Sequence, residues 1–119
     1  QMRNILEIVH DLCLNDHISL CEAEKAYADS WKKRGGVGAF MMLARKWDRI
    51  ENLTLKYAYD IFSTIEKHPE KTGVIDDIRD LRRYLLLIEA EMVRYGSIVP
   101  DYIYEKEDTD ATTIVPAEE

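Results

Sequence analysis

Apolar positions along most of the chain recur at threes and fours, the spacing of one face of an α-helix. From Met2 to about Leu14 they fall at positions 2, 5, 6, 9 and 12 or 13. Asn15-Asp16 then reads as a break. Ser19-Leu-Cys-Glu22 matches a capping box, so a second helix is expected from near Leu20. It carries Ala23, Ala26, Tyr27 and Ser30 with Trp31, and should stop at Gly35-Gly36. A third helix should start near Val37 or Gly38, with Phe40, Leu43, Ala44, Trp47, Ile50 and Leu53 or Thr54 in phase. That period either continues through Tyr57, Ile61 and Ile65 to His68-Pro69 or breaks between Asn52 and Leu55, where Asn and Thr weaken the turn. Lys71-Thr72-Gly73 reads as a turn. A last long helix runs from about Val74 to Tyr95, with Val74, Ile78, Leu81, Leu85, Ile88 and Met92 on one face and Gly96 as its stop.

Beyond Gly96, "SIVPDYIYEKEDTDATTIVPAEE" has no sustained period and is expected to be extended or mobile. Ile98, Val99, Tyr102 and Tyr104 could dock on the body or on a partner. No internal repeat is present. The fold class is therefore all-α: an antiparallel bundle of four or five helices over residues 1–95, followed by an acidic tail over 96–119.

Charge sharpens that division. The net charge is −7, yet the segment from Gly96 onward holds seven acidic residues and one lysine, so the body is nearly neutral. A non-specific duplex-DNA binder shows a basic excess, so direct nucleic-acid binding is not expected. No apolar run approaches the roughly 18–20 residues of a membrane span, and no signal-peptide pattern is seen. Met2 reads as the natural start, with Gln1 an added residue. Cys13 and Cys21 are the only cysteines and are expected as reduced thiols in a cytoplasmic setting. Tyr57, Tyr59, Ile61 and Phe62 crowd one short stretch and cannot all face one small core, which predicts a homodimer or higher homo-oligomer.

Three groups of residues carry candidate chemistry. His10, Cys13, His17 and Cys21 are metal-ligand types at helical spacing, but eleven residues of helix extend about 16 Å, too far for four ligands to reach one zinc. Buried cysteine and helix-face histidine are the plainer reading. The second group is the basic, glycine-rich segment "WKKRGGVGAFMMLARKWDR". Lys32, Lys33, Arg34, Arg45, Lys46 and Arg49 face a single acid there, Asp48, and the glycines precede a helix whose free N–H groups and dipole favour phosphate. No Walker motif follows, and a helix stop with solvated cations explains the same residues. The third group is a pair of acidic motifs, Asp48-Arg-Ile-Glu51 and Asp77-Ile-Arg-Asp80. Carboxylates three apart are neighbours on a helix and can share a hard cation such as magnesium. Glu51 and Asp77 each fall roughly 50° from the centre of their apolar stripes, at the edge of the core. Asp76 and Asp77 also suit the positive end of the helix dipole, and Asp80 can pair with Arg83 or Tyr84.

The order of these features resembles the all-α nucleoside triphosphate pyrophosphohydrolases, the MazG-like and helical dUTPase-like proteins. Their Glu-x-x-Glu helix, spacer and Glu-x-x-Asp helix are matched by the acidic pair at Asp48 and Glu51, 25 intervening residues, and the pair at Asp77 and Asp80. More closely, "EKAYADSWKKRGGVGAFMMLARKWDRIENL" followed by "GVIDDIRDLRRYLLL" is similar to the nucleotide-modification-associated domain of phage and bacterial proteins. The resemblance covers about Glu24 to Met92. It implies metal-dependent cleavage of a nucleotide between its α- and β-phosphates, in a bacterial or phage-infected cell. On matching positions, Asp48, Glu51, Asp77 and Asp80 would hold Mg²⁺ or Mn²⁺, with Glu51 and Asp77 catalytic. Lys32, Lys33, Arg34 or Lys46 would neutralise phosphates, and Trp31, Trp47 or Tyr84 would stack on the base. The first motif departs from the family pattern, since Asp48 stands where a glutamate is usual and Lys46 and Arg49 flank it. Two alternatives stand beside hydrolysis: a catalytically inactive nucleotide binder that sequesters or senses its ligand, and a helical protein–protein interaction module.

Overall fold

The computed structural model describes residues 2–68, 73–106 and 112–116, with side chains for 2–68 and 73–102. The fold class is all-α, with four α-helices among the described residues: α1 (Ile5–Tyr27), α2 (Gly35–Leu55), α3 (Ile61–Lys67) and α4 (Val74–Arg94). A short 3₁₀ turn over Ser30–Lys32 links α1 to α2. The chain divides into two units, Gln1–Leu86 and Leu87–Glu119.

In the first unit, α1 begins where Asn4 caps it, its side-chain oxygen accepting from the Leu6 amide at 2.8 Å. The helix then runs unbroken for 23 residues, so the expected break at Asn15-Asp16 and the restart near Leu20 do not occur. Asp16 is buried instead, at 1% exposure, and the capping-box residues Ser19 and Glu22 lie within the helix. A buried partner for that carboxylate outweighs the modest helix propensities of Asn and Asp. The helix ends at Ala28, which takes a positive φ of 48° while its N–H bonds the Glu24 carbonyl.

Gly35 (φ 71°) opens α2, two residues earlier than the nearer of the two expected starts, Val37. Gly38 is needed in the first turn because a Cβ there would lie 2.7 Å from Cβ of Arg34. The two readings of the following stretch resolve in favour of a break: α2 stops at Leu55 and a turn precedes α3. Ala58 and Tyr59 both take positive φ in that turn, and Asp60 caps α3 by accepting from the Ser63 amide at 3.1 Å. His68 ends α3, with its ring nitrogen Nε2 3.0 Å from the Tyr57 hydroxyl. Pro69, Lys71 and Thr72 of the expected stop and turn lie outside the described residues. Asp76 and Asp77 occupy the first turn of α4, where their charge suits the helix dipole.

The second unit contains the end of α4, its stop at Gly96 and an antiparallel pair of strands, β1 (Tyr102–Lys106) and β2 (Thr112–Pro116). Gly96 has φ 73°, its N–H reaches the Val93 carbonyl, and the Ser97 N–H reaches Met92, which closes the helix end. Of the segment expected to be extended or mobile, Tyr102–Lys106 and Thr112–Pro116 are paired strands, with Tyr104 opposite Ile114.

The core of the described residues is sparse. Ala39, Ile50 and Val74 are its buried apolar side chains, beside four buried polar ones: Asp16, Thr54, Thr64 and Asp77. The threonines are satisfied locally, Thr54 Oγ1 donating to the Ile50 and Glu51 carbonyls and Thr64 Oγ1 to the Asp60 carbonyl. The aspartates are not satisfied locally: each meets cations carried by another helix. On the expected apolar face of α4, Ile78, Leu81 and Ile88 are half-buried while Leu85 and Met92 are exposed.

Candidate functional site

Two buried aspartates each join α4 to another helix. Asp16 of α1 receives two arginines from α4. Arg82 donates through Nε to Oδ2 at 2.6 Å and through Nη2 to Oδ1 at 2.8 Å, a bidentate fork, and Arg83 Nε adds a third bond to Oδ1 at 2.9 Å. The Arg82 bonds, with help from Arg83 and against the cost of burial, hold the Asp16 carboxyl below the usual carboxylate range. The same contact raises the Arg82 guanidinium further. Asp80 was expected to pair with Arg83; within the chain Arg83, with Arg82, instead ties α4 to α1 through Asp16.

Asp77 of α4 faces α2. Arg49 Nε lies 3.2 Å from Oδ2, to which it donates, and 3.1 Å from Oδ1 without hydrogen-bond geometry. Lys46 Nζ is 3.9 Å from Oδ1 and 2.8 Å from Oδ2 of Asp80. The Asp77 side chain is 1% exposed, and its Oδ1 is buried with no hydrogen-bond partner. Asp77 and Asp80, three apart on α4, therefore converge on a single ammonium group. Their helical spacing brings them together, and the same spacing puts Lys46 and Arg49 on one face of α2.

The other half of the expected acidic constellation lies elsewhere. Asp48 and Glu51 are exposed and hold no hydrogen bond or ion pair through their carboxylates among the described residues. The acids of α2 and α4 do not form one cluster: among the described residues, no group of three or more His, Cys, Asp or Glu side chains is arranged to hold a metal ion. Of the phosphate candidates, Lys46 is engaged with the α4 acids, Lys32 is half-buried with Nζ 3.9 Å from the Asp29 carboxylate, and Lys33 and Arg34 are exposed. Trp31 and Tyr84 are half-buried, and Trp47 is exposed. The His10, Cys13, His17, Cys21 series lies exposed on continuous α1, with His17 Nε2 3.6 Å from Cys21 Sγ.

The residue that sequence reasoning missed is Asp16. Its signal was present: Asp16 falls four residues after Leu12 and seven before Ala23, in phase with Ile5 and Val9. An acid in phase with an apolar stripe is either a break or a buried charge with a partner, and Arg82-Arg83 supplied that partner.

Comparison with known protein families, with characterised proteins and with solved structures finds no match for this chain. Among the described residues no helix is long and apolar enough to cross a membrane.

Proposed function

We propose that this protein binds a nucleotide together with Mg²⁺ or Mn²⁺ at the seam of α2 and α4, and that its active form hydrolyses the nucleotide between the α- and β-phosphates. The observation that carries this reading is the convergence of Asp77 and Asp80 on Lys46 beside a buried carboxylate oxygen that lacks a hydrogen bond. Two carboxylates are a sufficient protein share for magnesium when phosphates and water complete its shell. The cluster is neutral, since Lys46 and Arg49 balance the two acids, so a bare divalent ion gains little net attraction there. A metal–nucleotide complex suits it better, because phosphates can take Lys46 and Arg49 while the acids take the cation. The cation would supply charge neutralisation and an activated water. Within this chain, Lys46 and Arg49 would hold phosphate and Asp77 and Asp80 would hold the cation, while Asp48 and Glu51 stand apart from that pair and take no part at the seam.

The neutral cluster also supports a second reading, a nucleotide binder without turnover, because no acid at the seam is free of a cation. One experiment separates the two. The protein is incubated with a panel of nucleoside triphosphates and Mg²⁺ or Mn²⁺, and pyrophosphate release and thermal stability are followed together. Release that disappears in Asp77→Asn is the expected result. Ligand-dependent stabilisation without release leaves the binder. Absence of both overturns nucleotide binding and leaves a helical interaction module.

A further inference from the structure

We propose that Lys46 gates the α2–α4 seam against bare divalent cations, so that Asp77 and Asp80 take Mg²⁺ or Mn²⁺ only after an anionic ligand has drawn the Lys46 ammonium away. The anion-first order rests on the nucleotide reading above; the gate itself rests on position. Lys46 Nζ stands 2.8 Å from Oδ2 of Asp80 and 3.9 Å from Oδ1 of Asp77, so one ammonium reaches both acids. Arg49 meets Asp77 and, among the described residues, has no ion pair with Asp80.

A magnesium ion shared by these two acids needs the place that Lys46 fills, because it must sit within about 2.1 Å of an oxygen from each. The ammonium fills that place incompletely. At 3.9 Å it is too far to donate a hydrogen bond to Oδ1, which is buried and has no hydrogen-bond partner among the described residues. That oxygen is desolvated and only partly compensated, so a stronger cation is favoured there once the ammonium leaves. Lysine suits such a gate, since its compact charge rides on a flexible four-carbon stem that can swing to a phosphate. The Asp80 side chain is 34% exposed, so the seam is open to solvent beside Lys46. Charge alone does not distinguish Lys46 from Arg49. Removing either leaves the four groups with one net negative charge, but only the removal of Lys46 empties the place between the acids.

The test uses the full chain and Mn²⁺ alone, with binding followed by the electron paramagnetic resonance of the free ion. The wild type and Arg49→Met are expected to bind weakly, and Lys46→Met at least about tenfold more tightly, with no nucleotide present. Asp77→Asn added to Lys46→Met should remove that gain. Binding by Lys46→Met no tighter than by the wild type overturns the gate. So does an equal gain in Arg49→Met, which would make the effect one of charge and not of place, and so does a gain that survives Asp77→Asn. For a variant that loses its helical circular dichroism, restoration of that signal by Mn²⁺ takes the place of the binding constant, and the same outcomes decide. Failure of the nucleotide reading shows separately: if nucleoside triphosphates leave the wild type unstabilised while Lys46→Met takes Mn²⁺, the nucleotide falls and the gate stands.

Discussion

Asp16 and Asp77 are both buried, both aspartate, and both set against two cations, yet their surroundings differ in a way that assigns them different tasks. Asp16 has both oxygens bonded, three charge-assisted hydrogen bonds in all, from arginines that are themselves largely covered. Among the described residues the Asp77 carboxylate has one hydrogen bond, from an arginine whose side chain is 56% exposed, and an oxygen with none. A carboxylate bonded at both oxygens has nothing left to offer a ligand. One buried with an unbonded oxygen carries an uncompensated desolvation cost, which a stronger partner can relieve. Asp16 therefore reads as an anchor and Asp77 as a place where something else can bind.

The largest effect should come from Asp16. In Asp16→Asn, an amide N–H₂ must face guanidinium donors that need two acceptors, so Arg82 loses its fork and both arginines lose their counter-charge. Breaking a buried pair of this kind costs about 3 kcal/mol, a large fraction of the roughly 5–15 kcal/mol that holds a domain together. Urea denaturation should show a lower midpoint with an unchanged slope. If Asp16→Asn matches the wild type within 1 kcal/mol, roughly the worth of an exposed pair, Asp16 is no anchor.

Acid should break the same contact without a mutation. The folded-state pKa of Asp16 is depressed by Arg82 and Arg83. Its contribution is therefore fully present above the unfolded value of about 3.9 and is lost as pH falls through the lower folded value. Wild-type stability should drop between about pH 4 and the acid limit more steeply than that of Asp16→Asn. Parallel curves for the two proteins would show that the arginines do not stabilise the charged form.

These two residues also show how far the sequence was legible. Periodicity located α4 to within a residue at its C-terminal end, because Val74, Ile78, Leu81 and Ile88 keep one phase and Gly96 ends it. The capping rules misplaced a helix boundary at Ser19, since a capping box is a local signal and the burial of Asp16 by Arg82 is a contact 66 residues away. Asp77 and Asp80 stand side by side as their spacing requires, but Lys46 and Arg49 were expected beside Asp48, with Lys46 open to phosphate, and not against the acids of α4. Helical spacing says which side chains share a face; it does not say which faces meet. That Asp77 meets Lys46 and Arg49 from α2, with Asp48 and Glu51 left exposed, required the tertiary arrangement.

At the second aspartate, removing the exposed cation should cost more than neutralising the buried acid. Arg49→Ala takes away the one hydrogen bond that the Asp77 carboxylate receives among the described residues and leaves a buried anion with an ammonium at 3.9 Å. A loss of about 1–2 kcal/mol is expected from the unsatisfied charge, above the median for an exposed ion pair. An effect within error of zero would mean that water or Lys46 already satisfies Asp77.

Asp77→Asn should be the mildest of the three in stability and the most damaging to ligand binding. The amide oxygen can still accept from Arg49, Lys46 keeps its 2.8 Å contact with Asp80, and no charge remains to be desolvated. About 1 kcal/mol or less is expected, comparable to one ordinary hydrogen bond. Under the nucleotide reading, the wild type should gain thermal stability from Mg²⁺ and a nucleoside triphosphate together far more than from either alone, because the phosphates must release Lys46 before the acids can take the cation. Asp77→Asn should abolish that synergy at nearly unchanged basal stability. A variant that loses basal stability as heavily as Asp16→Asn, or that keeps the full synergy, would place Asp77 with the anchors.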